Sequence, residues 1–137
     1  MSRISAFLHP VETVTEREVI VSDRFRDEKG NPVPFKVRAL TQEENDQITA
    51  KATRVTTGKN GQRTEYLDSV DYARRLIVAA TVEPDFTSKE MCDAYGVVSP
   101  FLAPGKMLLS GEYSRLMEAV MEQSRFRGDV EGEEVKN

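Results

Sequence analysis

The sequence predicts an α+β fold: an N-terminal antiparallel β-hairpin or small sheet packed on a cluster of about four α-helices. Three observations carry this expectation. Within residues 11–40, a β-like stretch at 11–25 is followed by residues 33–39, where apolar and polar side chains alternate with the period of two of a half-buried strand. Several segments within residues 41–126 repeat their apolar positions at three and four, the spacing of helices packed on one face. Two capping boxes, Thr41-Gln42-Glu43-Glu44 and Thr87-Ser88-Lys89-Glu90, mark helix starts in that second part.

Residues 1–10 read as a lightly docked arm, in which Ile4, Phe7 and Leu8 form one amphipathic turn ended by His9-Pro10. Residues 11–127 read as a single α+β domain, with the hairpin in 11–40 and the helices in 41–127. In the first strand, Val11, Thr13 and Thr15 alternate with Glu12, Val14 and Glu16, and Val19-Ile20-Val21 is β-branched. Asp27-Glu28-Lys29-Gly30-Asn31 supplies an exposed turn. Val33, Phe35, Val37 and Ala39 then alternate with Pro34, Lys36 and Arg38. Pro32 and Pro34 donate no ladder hydrogen bond, which predicts an edge position for this second strand.

Thr41 opens a helix expected to reach Thr53 or Val55 on a thin stripe of Ile48, Ala52 and Val55. Residues 56–64 hold two glycines and no apolar anchor, so they read as a mobile loop. Asp68 caps the next helix, whose stripe is Val70, Ala73, Leu76, Ile77 and Ala80 and whose end is set by Glu83-Pro84. This helix is the expected centre of the bundle. The box from Thr87 to Glu90, with Phe86 and Met91 as its hydrophobic staple, starts a short helix ending near Tyr95, with Gly96 as a left-handed C-cap. Pro104 can open the last helical region. There Lys106-Met107-Leu108-Leu109 makes an apolar turn, and Tyr113, Leu116, Met117, Val120 and Met121 share one helix face, with Glu112, Arg115, Glu118 and Glu122 opposite. Residues 128–137, with Asp129, Glu131, Glu133 and Glu134 against Lys136, read as a disordered acidic tail.

The totals narrow the function. The 137 residues are 39% hydrophobic and 31% charged, with a formal net charge of -4. That balance suits one folded domain and gives no reason to expect nucleic acid or an anionic membrane as the main partner. Cys92 is the sole cysteine, so no intrachain disulfide can form, and a reducing cytoplasm is the simplest compartment. The N-terminus has too short an apolar run for a signal peptide, and no stretch approaches the ~20 apolar residues of a bilayer span.

Catalysis finds no footing in these residues. His9 and Cys92 stand alone on different elements and cannot cluster as zinc ligands. Gly58-Lys59-Asn60-Gly61 lacks the spacing and the following Ser/Thr of a phosphate loop. Glu43, Glu44 and Asp46 are accounted for by the dipole at a helix start. Arg54, Lys59, Arg63, Arg74 and Arg75 tint the middle of the chain basic without interleaved aromatics, which fits a solvated face better than a nucleic-acid-binding regulator. No catalytic residue, metal ligand or cofactor is assigned. The candidate site is instead an apolar partner surface made of Met107, Leu108, Tyr113, Leu116, Met117, Val120 and Met121. Methionine-rich helix faces fill cores and also build adaptable grooves. The expected split has Leu116 and Val120 inward, with some of Met107, Tyr113, Met117 and Met121 at the edge of a groove. Strand pairing around Val33 to Val37 is a second candidate contact.

Several of these pieces occur together in a known order. The polar β segment, the Thr41 to Glu44 box, the apolar helix ended by Pro84, the short helix ended by Tyr95-Gly96-Val97 and the Leu108-Leu109-Ser110-Gly111-Glu112-Tyr113 element resemble the XkdN-like family of phage tail assembly chaperones, over about residues 5–126. The resemblance implies a small cytoplasmic factor made in the host cell. Such a factor would bind the tape measure protein, keep it soluble, help tail tube subunits polymerise around it, and be absent from the virion. The tape measure protein is then the main expected partner and the tail tube protein a further one. A structural tail component retained in the virion is the rival reading. Lys136-Asn137 can be encoded by AAA-AAC, part of a slippery site for a minus-one ribosomal slip, so a longer frameshifted form of the chain is another expected partner.

Overall fold

The strand that organises the sheet is the one with strict alternation. In β2 (Phe35–Arg38), Phe35 and Val37 are buried while Lys36 and Arg38 are half-exposed. It pairs antiparallel with β1 (Glu16–Val19), Glu16 opposite Arg38 and Val19 opposite Phe35. The structure, a computed structural model, describes residues 3–11 and 15–125. Glu12, Thr13 and Val14 of the expected first strand, Phe126 and the expected acidic tail at 128–137 lie outside the described residues.

The edge position expected for β2 is overturned. A third strand, β5 (Thr81–Glu83), pairs antiparallel on its other side, and the sheet order is β1-β2-β5. Pro32 and Pro34 precede the ladder, so neither removes a bond that β2 needs. With both neighbours in place, Phe35–Arg38 has no free edge to offer a partner strand. The turn behaves as expected: the Asp27 carboxylate accepts from the amides of Lys29 and Asn31 (each 2.9 Å), and Gly30 takes the left-handed conformation.

The Thr41 box forms in both directions. The Thr41 hydroxyl accepts from the Glu44 amide (3.2 Å), and the Thr41 amide donates to Glu44 Oε1 (3.0 Å). The helix it opens, α2 (Gln42–Ala52), stops before Thr53, and Val55 lies on a strand instead. Residues expected to be a loop form a second hairpin, β3 (Thr53–Thr57) with β4 (Arg63–Leu67), turning at Gly61 with φ of +76°. The β-branched run Thr53, Val55, Thr56 and Thr57, followed by Thr64 and Tyr66, favours extended backbone and outweighs the glycines. Helix α3 (Ser69–Ala80) is capped by Asp68, whose carboxylate accepts from the Asp71 amide (3.1 Å). It ends at Ala80, ahead of the expected Glu83-Pro84, because Thr81 turns into β5 and donates its hydroxyl to the Ile77 carbonyl (2.7 Å).

Helix α4 (Lys89–Ala94) is capped by Ser88, one residue after the expected Thr87. Asp85 takes both the amide and the hydroxyl of Thr87 (3.0 and 2.6 Å), which leaves Ser88 to accept from Met91. Gly96 ends the element with φ of +65°, as expected. A 3-10 turn (Pro100–Leu102) leads to α5 (Ala103–Met107) and α6 (Ser110–Gln123). With α1 (Ile4–Leu8) of the exposed arm, the described residues hold six α-helices, more than the four expected, because two are only five residues long.

The core lies between the sheet and the helices. Leu76, Ile77 and Ala80 of α3 and Leu116, Ala119 and Val120 of α6 close on Val21, Phe35, Val37 and Phe86. Helix α3 holds α2 through Tyr72, whose hydroxyl donates to Asn45 (2.5 Å). Phe86→Ala should therefore cost about 3–5 kcal/mol in chemical denaturation and Thr41→Ala about 1 kcal/mol, while Val98→Ser, at a fully exposed position, should change stability by less than about 0.5 kcal/mol.

Candidate partner-binding surface

The segment between β1 and the turn at Asp27 has no repeating pattern, yet it fixes the surface. Val21 and Ser22 are buried, and Arg24 and Phe25 follow. Arg24 reaches the start of α6 and grips Glu112 with both arms, Nε to Oε2 at 2.9 Å and Nη2 to Oε1 at 2.5 Å. Its Nη2 also donates to the Met107 carbonyl at the end of α5 (3.1 Å). Arg115 donates to the Val21 carbonyl from the next turn of α6. This segment is thereby clamped across the junction of α5 and α6.

Glu112 was expected on the solvent side of α6, and the structure corrects this: only 7% of the residue is exposed. Its carboxylate accepts from the Leu109 amide (2.8 Å), half of a capping box that Leu109 has no hydroxyl to complete. The Arg24 guanidinium foremost, then Ser22 and that amide, hold the carboxyl down at a pKa of about 2.

The clamp sets one wall of an apolar groove. The Arg24 guanidinium lies 5.0 Å above the Phe25 ring, and Phe25 packs on Phe35 with centroids 5.6 Å apart. Phe25, Val33, Pro34, Phe35, Glu83, Pro84 and Met107 line a groove of about 200 Å³. The Glu83-Pro84 peptide is cis. Val33 is 44% exposed at the rim.

The seven residues singled out from the sequence divide into two groups. Leu108, Leu116 and Val120 are buried and can only support a surface from behind. Met107, Tyr113, Met117 and Met121 are half-buried at the margin of the core. Met107 alone of the seven lines the groove. Pro34 falls within the Val33 to Val37 stretch expected as a second contact, whereas Phe25, Glu83 and Pro84 escaped notice because they meet Met107 only in the tertiary structure and leave no local pattern.

Two of the five basic residues of the middle stretch are engaged within the fold. Arg54 donates to Asp71 (2.6 Å), and Arg75 donates to the same carboxylate (3.0 Å) while stacking 4.6 Å from the Phe101 ring. Cys92 is half-buried, its thiol against the Phe86 carbonyl (3.5 Å). Among the described residues, no group of three or more His, Cys, Asp and Glu is placed to hold a metal ion, and no helix is long and apolar enough to cross a membrane.

Known proteins share this chain's pattern. Residues 4–136 match the family model described as phage XkdN-like tail assembly chaperone protein. The phage-like element PBSX protein XkdN of Bacillus subtilis (strain 168) is 33% identical over 137 residues, covering 96% of this chain and 93% of XkdN. The uncharacterized protein YqbN of the same organism is 34% identical over 129 residues, covering 92% and 87% of the two chains. A crystal structure of YqbN superposes with a TM-score of 0.72 at 30% identity, over 89% of this chain and 96% of that one.

The clamp predicts a pH signature. Glu112 and Glu44, the latter gripped by Arg38, both titrate at about 2 in the folded state against an ordinary 4.5. Their stabilisation is complete above the unfolded value and is lost as pH falls from about 4.5 through about 2. Thermal melts should show Tm falling across that window. Glu112→Gln should melt several degrees lower at pH 7 and lose less than the parent protein across the same acid window.

Proposed function

The chain belongs to the XkdN-like family of phage tail assembly chaperones, and on that premise we propose that it binds the tape measure protein of its phage, keeps it soluble and promotes tail tube polymerisation, without catalysis. The observation that supports this reading is the apolar groove beside Met107, held open by the clamped Arg24 segment. At about 200 Å³ it is smaller than the roughly 300–1,000 Å³ of small-molecule pockets. It suits the apolar side chains along one row of an amphipathic helix. Long helices with bare apolar stripes aggregate until something covers them. The groove supplies one place to cover such a stripe, and Tyr113, Met117 and Met121 of α6 supply an adaptable second area.

In this proposal Leu108, Leu116 and Val120 hold α5 and α6 in place, and Met107 makes the contact. The tail tube protein and a frameshifted longer form of the chain are further proposed partners, acting in the host cytoplasm. The chaperone leaves before the virion is complete. Mass spectrometry of purified particles should then lack it; its presence at stoichiometric levels would make it a structural tail component.

Co-expression with the tape measure protein should raise that protein's soluble yield and allow its capture. Met107→Asp and Val33→Asp place a charge in the groove and should each weaken capture at least about tenfold, roughly 1.4 kcal/mol, with Tm close to the parent value. Unchanged capture by both variants would move the binding site away from the groove.

A further inference from the structure

The hairpin of β3 and β4 takes no part in the clamp or the groove. Every residue of β4 is exposed, and the two strands form a sheet by themselves. An isolated two-stranded hairpin is marginal in water, and an open strand edge is a template for another strand.

The turn decides which backbone groups face that open edge. The Gly58 amide donates to the Gln62 carbonyl (2.7 Å), so residues 58 and 62 are a hydrogen-bonded pair. Pair types alternate along an antiparallel ladder. Arg63, Glu65 and Leu67, opposite Thr57, Val55 and Thr53, therefore turn their N–H and C=O groups outward. The Thr64 carbonyl turns inward, where the Thr56 hydroxyl reaches it (3.5 Å).

We propose that the free edge of β4 pairs with β4 of a second copy of this chain, antiparallel about a two-fold axis at Thr64, to make a four-stranded sheet. Charge selects the register. A two-fold at Thr64 sets Arg63 opposite Glu65 of the second copy, and Glu65 opposite its Arg63. Opposite charges directly across a strand pair stabilise it, and like charges destabilise it. A two-fold at Arg63 or at Glu65 would set that residue against its own copy. The register at Thr64 also matches the backbone, because the residues it pairs are those whose amides and carbonyls point outward. Among the described residues, neither Arg63 nor Glu65 forms an ion pair within its own chain. Tyr66 and Leu67, 50% and 45% exposed, come to lie beside residues 62 and 61 of the second copy. The β3 edge offers no such match, since its outward positions are Thr53, Val55 and Thr57.

Two measurements on the full chain test this pairing. At the axis the two Thr64 residues form a non-hydrogen-bonded pair, with Cα atoms about 4.5 Å apart, within the range of a disulfide. Thr64→Cys in a Cys92→Ala background should give a disulfide-linked dimer under oxidised glutathione, and Gln62→Cys in the same background should not. By light scattering over a concentration series, Arg63→Glu and Glu65→Arg should each weaken the dimer at least about tenfold, and the double swap should restore it. A chain that stays monomeric with no Thr64 disulfide, or a dimer indifferent to both reversals, overturns the pairing. So does a monomer whose β4 amides gain exchange protection only when tape measure protein is added, which assigns the edge to that protein. Capture of tape measure protein through the groove is measured separately, so failure of either proposal leaves the other readable.

Discussion

The grip of Arg24 on Glu112 is the contact on which the remaining arrangement turns. It joins the segment after β1 to the start of α6 and, through the Met107 carbonyl, to the end of α5. A bidentate guanidinium–carboxylate pair fixes direction as well as distance. Burial of Glu112 makes the partner obligatory, since an unpaired carboxylate there would be strongly unfavourable. The amide of Leu109 uses the same carboxylate, so one side chain both starts a helix and closes a tertiary contact.

A second clamp works the same way across the sheet. Arg38 on the outer face of β2 holds Glu44 in the first turn of α2 and also donates to the Ala79 carbonyl of α3 (3.2 Å). Glu44 meanwhile completes the Thr41 cap. In each case a carboxylate at a helix start is also bound to an arginine outside its own helix, 88 residues away for Glu112 and six for Glu44. Each serves two levels of structure at once, and such agreement between local and global preferences characterises well-folded sequences.

This construction bears on a chaperone's task. In the role proposed for it, the protein must expose apolar surface without collapsing onto itself. Here Phe25, Val33 and Met107 line a groove beside the Arg24 clamp, and Leu108 and Leu116 are buried in the core. At the margin of the core, α6 adds methionines, whose unbranched side chains are adaptable in shape. The hairpin of β3 and β4 is built differently: its ladder joins the two strands, Arg54 ties it to Asp71 of α3, and an edge is left free.

The sequence by itself determined the elements whose signals are local. The Thr41 box, the Asp68 cap, the Gly96 stop, the alternation of Phe35 and Val37 and the spacing of Leu116 and Val120 each act within one or two turns or strand repeats. The order of those elements also carried the family resemblance. Some misreadings were local too: the β-branched residues around Gly58 and Gly61 signalled a hairpin, and Asp85 moved the cap from Thr87 to Ser88. Only tertiary structure decided that β2 is central, because Thr81, Val82 and Glu83 become a strand only when β2 is there to pair with them. It alone decided that Glu112 faces inward, because the charge that makes this favourable is 88 residues away. It also selected Met107 from seven apolar candidates as the one lining the groove, since helical periodicity marks an apolar face but says nothing about where packing against distant segments leaves a gap.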